Sequence, residues 1–314
     1  MSPQSLGKTL IIANPASHSG RGEAAAIFAT RFFSKYDAGA RSCTVRMTEG
    51  EGDAKAMAGA ASEYDTIIAL GSDGDIHEVV NGLMLIPQSN RPSLGIIPVG
   101  TSNDFARTIG VTSNDPEKAI DEIMEGERRP LDLGRVNKTF FIQTLSFGID
   151  AATALEVKSR WNGREPKKTL LPYFFSGVRH VAADLKGWSY RANIDGEAID
   201  GVEIAFAVQN GPTYGGGFRI CPRAVPNDGM LDLCFTLDKP SRVKSLALLG
   251  LMRFGKHTHS PVVGLRRLKH MELEFFGDEQ PPCQADGEEV VARQFVIDVL
   301  PSELQVIVPS SCSW

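Results

Sequence analysis

The residues best suited to chemistry lie in the run Ala69–Leu83, A-L-G-S-D-G-D-I-H-E-V-V-N-G-L. Its centre, Gly71-Ser72-Asp73-Gly74, is a turn whose two glycines let a ligand approach main-chain amides closely. Ile76, Val79, Val80 and Leu83 come next at near-helical spacing, with Asp75 placed to cap that helix. A helix N-terminus behind such a turn attracts phosphate through its N–H groups and its dipole. Taken alone, a plain tight turn explains the glycines equally well. Two other polar turns have the same small-residue character: Asn14-Pro15-Ala16-Ser17-His18-Ser19-Gly20-Arg21-Gly22 and Gly100-Thr101-Ser102-Asn103-Asp104. By themselves, Asp286-Gly287-Glu288 and Asp228-Gly229 read as hairpin turns, where Asp-Gly is common. His257-x-His259 has no third ligand nearby for a transition metal and reads as a solvated loop. The absence of G-x-x-x-x-G-K-[ST] excludes a P-loop nucleotide site.

The elements that must hold these turns are legible as periodicities. Thr9–Ala13, Thr66–Leu70 and Leu94–Val99 are short apolar runs suited to buried parallel strands, and Arg41–Met47 alternates like a strand. Helical stretches cover Glu23–Phe33, Asp53–Ser62, the segment after Gly71 and a short piece through Arg107. This alternation predicts a doubly wound α/β domain with a parallel sheet, the three polar turns standing at its carboxyl edge. After Arg128 the texture changes. Leu131–Val136, Thr139–Leu145, Ser189–Ile194, Val202–Val208, Leu231–Leu237, Met271–Phe276 and Phe295–Val299 are strand-like and separated by Gly, Pro, Asn and Asp, which predicts an antiparallel sandwich or barrel.

Length and composition agree with two domains. The chain has 314 residues, about twice a usual domain. A net charge of −5 weighs against general nucleic-acid binding. The five cysteines are scattered without C-x-x-C spacing, as reduced thiols would be. No signal-peptide pattern precedes the first strand, and the longest apolar helix candidate, Ser245–Met252, is too short to span a bilayer. The expectation is a cytoplasmic protein.

Read together, N-P-A-S-x-x-G, G-S-D-G-D-x-x-E-x-x-N-G-L and I-P-V-G-T-S-N-D-F-A-R occur in an order that resembles the diacylglycerol kinase catalytic-domain family. The likeness is to its soluble bacterial-type lipid kinases and, more distantly, to sphingosine kinases. Phe147-Gly148-Ile149-Asp150, Q-N-G-P-x-Y-G-G-G from Gln209, P-x-A-x-x-x-D-G-M-L-D from Pro222, and Asp286-Gly287-Glu288 extend it over almost the whole chain. The resemblance implies an ATP-binding α/β domain over residues 1–127 and a β-rich lipid-substrate domain over 128–304, with the tail 305–314 packing back on the first. It implies transfer of the γ-phosphate of ATP, with Mg2+, to the hydroxyl of diacylglycerol or a similar lipid alcohol. A sphingosine- or ceramide-type kinase and a catalytically degenerate nucleotide-binding regulator are the alternatives.

Site residues carry over from that resemblance one by one. Nucleotide contacts are Asn14, Pro15, Ala16, Ser17 and Gly20, Thr48 of T-E-G-x-G-D, then Ser72, Asp73, Gly74, Asp75, Ile76, His77 and Glu78, and finally Thr101. Asp73 acts through a magnesium ion, since a carboxylate repels phosphate directly. Glu288 is the first choice for the base that takes the lipid hydroxyl proton, and Asp286 the second. Pro222–Asp232 resembles the family's structural magnesium loop, with Asp228 and the carbonyls of Val225 and Met230 as ligands.

Three positions depart from the pattern. Ser72 stands where a second glycine is usual, Asp75 where an uncharged residue comes after G-D-G, and Arg223 where an acidic or small residue is frequent. A carboxylate at Asp75 either weakens triphosphate binding or serves as a helix cap. On the substrate side, Lys158, Arg160, Trp161, Arg164, Lys167 and Lys168 precede Leu170, Leu171, Tyr173, Phe174 and Phe175, a mixture that can seat a helix on an anionic membrane surface. The competing reading is a charged turn before a core helix. Expected partners are a lipid alcohol at the membrane surface and a second copy in a homodimer, with no nucleic acid.

Overall fold

The computed structural model describes residues 5–36, 43–160, 170–183, 185–237 and 240–314. Contacts divide the chain into two units: one runs to Leu131 and takes in Ser302–Trp314, the other runs from Asp132 to Pro301. The division falls inside a strand, four residues after the texture change in the sequence.

The first unit alternates strand and helix: β1 Thr9–Ala13, α1 Ser17–Tyr36, β2 Cys43–Met47, α2 Asp53–Gly59, β3 Thr66–Gly71, α3 Asp73–Leu83, β4 Ser93–Pro98, α4 Asp104–Ile109, α5 Pro116–Glu125, then β5 Glu127–Val136. Its strands are parallel in the order β2-β1-β3-β4. β1, β3 and β4 are buried throughout, as continuous Ile, Leu and Ala runs require when helices cover both faces. Strand register places the polar turns. Ala13 pairs with both Met47 and Leu70, and Gly71 pairs with Pro98, so the strands end level and Asn14, Thr48, Ser72 and Val99 leave from one edge. α5, which the sequence reading lacks, starts at Pro116 behind Asp115, whose side chain accepts the Lys118 N–H at 3.2 Å.

The second unit continues with β6 Thr139–Phe141, β7 Thr144–Gly148, α6 Ile149–Arg160, α7 Leu170–Ala183, β8 Trp188–Ile194, β9 Glu197–Glu203, β10 Ala205–Gln209, β11 Leu231–Thr236, α8 Arg242–Met252, β12 Val263–Leu268, β13 His270–Phe276, β14 Cys283–Ala285, β15 Glu288–Glu289 and β16 Gln294–Val308. One antiparallel sheet has the order β12-β11-β10-β7-β14-β15. In the other, β8 pairs with β9 and β13, and β13 pairs with Gln294–Asp298 of β16. The core holds a ring cluster in which Phe147 lies 4.8 Å from Phe295 and 6.0 Å from Phe206, both edge to face. β16 changes unit along its length: Val306, near its end, pairs in parallel with Leu94 of β4.

Two long strands expected from the sequence are each broken in two. Thr139–Leu145 divides into β6 and β7 because the Asp286 carboxylate draws in the N–H groups of Ile142, Gln143 and Thr144 at 2.8, 3.0 and 2.9 Å. Val202–Val208 divides at Ile204, where Glu203 Oε1 accepts from Ile204 N at 2.9 Å and Ala205 N at 2.7 Å. A carboxylate that gathers main-chain donors in this way interrupts the ladder it sits in.

Candidate functional site

The polar edge of the first unit is held together by Asp75. Its Oδ1 accepts from Asn14 Nδ2 at 2.7 Å, and its Oδ2 from Ser17 Oγ at 2.7 Å, Ser72 N at 2.7 Å and Ser72 Oγ at 2.8 Å. α3 therefore begins three residues earlier than a cap at Asp75 would place it: Ser72 is the N-cap, Asp73 lies in the first turn, and Asp75 completes a capping box at N3. The two readings of Asp75 resolve in favour of the cap. One carboxylate with four donors ties the first turn to the central one, and Ser72 supplies two of those donors where a glycine would supply one.

Asp73 ties the central turn to the third. Its oxygens accept from the backbone of Asp104 at 3.1 Å and Phe105 at 3.2 Å, at the start of α4. Gly100 is strapped by Asn103, whose Nδ2 donates to the Gly100 carbonyl at 2.8 Å, and by Asn114, which donates to the same carbonyl at 3.0 Å and accepts the Gly100 N–H at 3.2 Å. The turns approach so closely that only glycine fits at certain positions. A Cβ on Gly22 would lie 2.0 Å from the Asn14 carbonyl oxygen, and one on Gly100 would lie 2.9 Å from Ser72 Cα. Gly22 belongs to the first polar turn, yet its motif does not mark it as a site residue.

The remaining expected nucleotide residues divide into two groups. His18, Ser19 and Gly20 are left-handed in succession, with φ of 49°, 57° and 87°, and a Cβ on Gly20 would meet open space. Left-handed non-glycine residues cost about 1–3 kcal/mol each and concentrate at functional sites. Asn14 Oδ1 accepts the Ala16 N–H at 2.9 Å, the Pro15 carbonyl accepts from Glu23 N at 3.2 Å, and Thr48 N bonds the Ala13 carbonyl at 2.9 Å. Glu78 reaches the T-E-G-x-G-D turn, where Oε1 accepts from Gly52 N at 2.9 Å while Oε2 is buried without a hydrogen-bond partner among the described residues. Thr101 is half-buried in the third turn. The Ile76 side chain is fully buried in the core, and the buried His77 ring faces Asn81 Nδ2 at 3.2 Å, which leaves the main-chain groups of these two residues for a nucleotide. Both lie on the inward stripe of α3.

In the second unit the two carboxylates of D-G-E have different jobs. Asp286 (φ 50°) and Gly287 (φ 91°) make the tight turn between β14 and β15, and the Asp286 carboxylate is committed to the three amides of Ile142–Thr144. Glu288 comes next, partly exposed and paired with Lys158 of α6. In the expected magnesium loop, Asp228 pairs with the Arg267 guanidinium through one oxygen and accepts the Met230 N–H at 3.1 Å through the other. Among the described residues no group of three or more His, Cys, Asp or Glu is disposed to hold a metal. Nor is His257 solvated: it is fully buried, with Nε2 3.0 Å from the Ile220 carbonyl.

A partly open cavity with almost wholly apolar walls lies within the second unit. Tyr173, Gly177 and Val181 of α7 and Leu248, Leu249 and Met252 of α8 line it on one side, and Ala205, Ala207 and Phe235 of the sheet on another. One carboxylate stands in that wall. Asp150, in the first turn of α6, has its Oδ2 shielded and without a hydrogen-bond partner among the described residues. Burial pushes its pKa up to about 7, against a hydrogen bond from Ser146. Glu203, behind the same wall, is lifted to about 7 for the same reason, although Thr236 and three backbone amides bond it. In the sequence Asp150 stands out only as part of F-G-I-D. No periodicity marks a cavity assembled from so many elements. Of the residues expected to face a membrane, Lys158 pairs with Glu288 and Arg160 with Glu156, while Trp161, Arg164, Lys167 and Lys168 lie outside the described residues. No helix among the described residues is long and apolar enough to cross a membrane.

Comparison with known proteins places both units. Residues 8–136 match the family profile "Diacylglycerol kinase catalytic domain", and residues 143–308 match "YegS C-terminal NAD kinase beta sandwich-like domain". The chain is 36% identical over 259 residues to the diacylglycerol kinase of Bacillus subtilis (strain 168), covering 81% of this chain and 82% of that one. It is 31% identical over 274 residues to the "Probable lipid kinase YegS-like" of Yersinia enterocolitica, covering 85% and 88%. The crystal structure of a diacylglycerol kinase from Bacillus anthracis str. Sterne superposes with a TM-score of 0.78 at 23% identity, over 98% of this chain and 99% of that one.

Proposed function

Since the chain belongs to the diacylglycerol kinase catalytic-domain family and is a lipid kinase, we propose that it transfers the γ-phosphate of ATP to the hydroxyl of diacylglycerol or a closely similar neutral lipid alcohol. The observation that carries this reading is the apolar cavity with a single buried carboxyl group in its wall. Its apolar lining suits acyl chains, and Asp150, its pKa lifted to about 7 by burial, can in its protonated form hydrogen-bond a glycerol oxygen without requiring a cationic ligand.

Each named residue then has a task. The three turns of the first unit offer main-chain groups, Asn14 and Thr101 to the nucleotide, and the open space at Gly20 leaves room for it. Asp73 is a hard oxygen ligand beside those turns and would hold Mg2+. When bound, that ion neutralises charge on the β- and γ-phosphates. Glu288 takes the proton from the lipid hydroxyl as its oxygen attacks phosphorus, and Lys158 keeps Glu288 in one orientation. Asp286 does not serve as the base, because its oxygens hold the 142–144 amides. Ser72 and Asp75, the two departures at the central turn, have structural work in the helix cap, so neither requires a degenerate regulator.

A second reading is favoured by the same carboxyl. A long-chain amino alcohol would place its ammonium against Asp150 and draw that group to the ionised form. A panel of lipid alcohols with labelled ATP separates the two. Phosphorylation of diacylglycerol with sphingoid bases inert supports the first reading, and the reverse order replaces it with the second. Gly177→Leu fills the cavity against the movable end of Leu249, 3.1 Å from the new Cβ. It should raise KM for long-chain substrates about 10-fold while sparing ATP affinity.

A further inference from the structure

α8 has two apolar faces. Ser245, Leu248, Leu249 and Met252 turn to the cavity. On the opposite side Val243, Ala247, Gly250 and Phe254, at helical spacing, are exposed, with Val243 at 79% and Phe254 at 67%; Leu246 and Leu251 flank them. Cations border this strip: Arg242 and Arg253 on one flank, Lys244 on the other, and Lys256 just beyond the helix. The surrounding sequence is one-sided in charge. Pro240–Met271 contains seven Lys and Arg and no Asp or Glu, in a chain whose net charge is −5; of the seven, Arg266 pairs with Glu197 and Arg267 with Asp228, away from the helix. The neighbouring α7 adds exposed Leu171 and Phe175 and carries no carboxylate over its described side chains.

An exposed apolar strip of this kind is costly in water unless something covers it. A helix with an apolar centre and cationic flanks matches the headgroup layer of an anionic bilayer, where side chains enter the acyl boundary and lysines and arginines meet phosphate. We propose that the outer face of α8, from Arg242 to Lys256, seats the protein on an anionic membrane, so that the helix forming a wall of the lipid cavity is itself the membrane contact. The substrate role of the cavity rests on the lipid-kinase reading; membrane seating does not.

Co-sedimentation of the full chain with phosphatidylcholine vesicles, with and without phosphatidylglycerol and without nucleotide, tests it. Binding should require phosphatidylglycerol and fall as salt rises. Each cation near such a surface contributes about fivefold to affinity, so the double reversal Arg242→Glu with Lys244→Glu should weaken binding by more than roughly 25-fold. Val243→Ser with Phe254→Ser should weaken it by more than about tenfold. In both variants turnover of a soluble short-chain substrate should match the parent. Unchanged vesicle binding in both variants overturns the proposal. So does a parent chain that is dimeric by light scattering and made monomeric by Val243→Ser with Phe254→Ser, because the strip then belongs to a second copy. If vesicle binding behaves as stated while no lipid alcohol is phosphorylated, membrane seating stands and the kinase reading fails.

Discussion

The polar edge of the first unit and the apolar cavity of the second are built by opposite rules. At the edge, parallel strands of matched register end level, so short contiguous motifs fall side by side in space. The cavity draws single residues from α6, α7, α8 and the six-stranded sheet, far apart along the chain. Carboxylates show the same contrast. Asp75 and Asp286 spend their oxygens on amides and hydroxyls of adjoining turns, whereas Asp150 keeps an unpartnered oxygen and Glu288 meets only a lysine among the contacts described. The first group shapes the protein and the second is available for chemistry.

Substitution within D-G-E is the strongest way to break that contrast. Glu288→Gln should slow turnover by about 10²–10⁴-fold with thermal stability and ATP affinity unchanged. Asp286→Asn should lower stability by about 1–3 kcal/mol, because an amide nitrogen cannot accept from the 142–144 N–H groups. Steady-state rates and melting curves on the two variants decide the matter. An Asp286→Asn chain that is fully stable and inactive would reverse the two roles.

Asp75→Thr comes next. It removes the acceptor of four hydrogen bonds and should cost about 2–4 kcal/mol in denaturant unfolding, with a parallel loss of ATP affinity as the first and central turns separate. Tighter ATP binding in that variant would mean that the carboxylate opposes the triphosphate after all.

Smallest is a pH effect. Asp150 has a pKa of about 7 when folded and ionises near pH 4 when unfolded. Through that interval the native chain binds the extra proton, so the stabilisation is full below the unfolded pKa and lost as pH rises through the folded one. Asp150→Asn should flatten unfolding free energy against pH by about 2 kcal/mol between about pH 5 and 7. A residual slope of the same sign should remain from Glu203, lifted to about 7 as well. An unchanged slope would show Asp150 to be solvated.

Much of the first unit is readable in sequence because its signals are local. Buried runs, glycine turns and a helix stripe each fit within a dozen residues. Ile76 and His77 are less legible: a contiguous motif carries both to the edge, whereas both side chains fall on the buried face of the helix. In the second unit the strands are legible but their breaks are not, since Asp286 lies far along the chain from the amides it gathers. The same distance hides Arg267 as the partner of Asp228, and Ile220 as the partner of the buried His257.

The crossing of β16 has a consequence for biosynthesis. Val306 covers the outer edge of β4, whose Leu94, Ile96 and Ile97 are fully buried in the finished protein. Ribosomes add about 5–20 residues per second, so the first unit waits on the order of ten seconds after its helices emerge before its last strand arrives. During that interval an apolar strand edge is bare, the kind of surface that holdase chaperones recognise and that seeds aggregation. Translation that stalls or stops before Val306 leaves the nucleotide-binding half with its sheet unfinished, although almost every residue that would touch ATP has already been made.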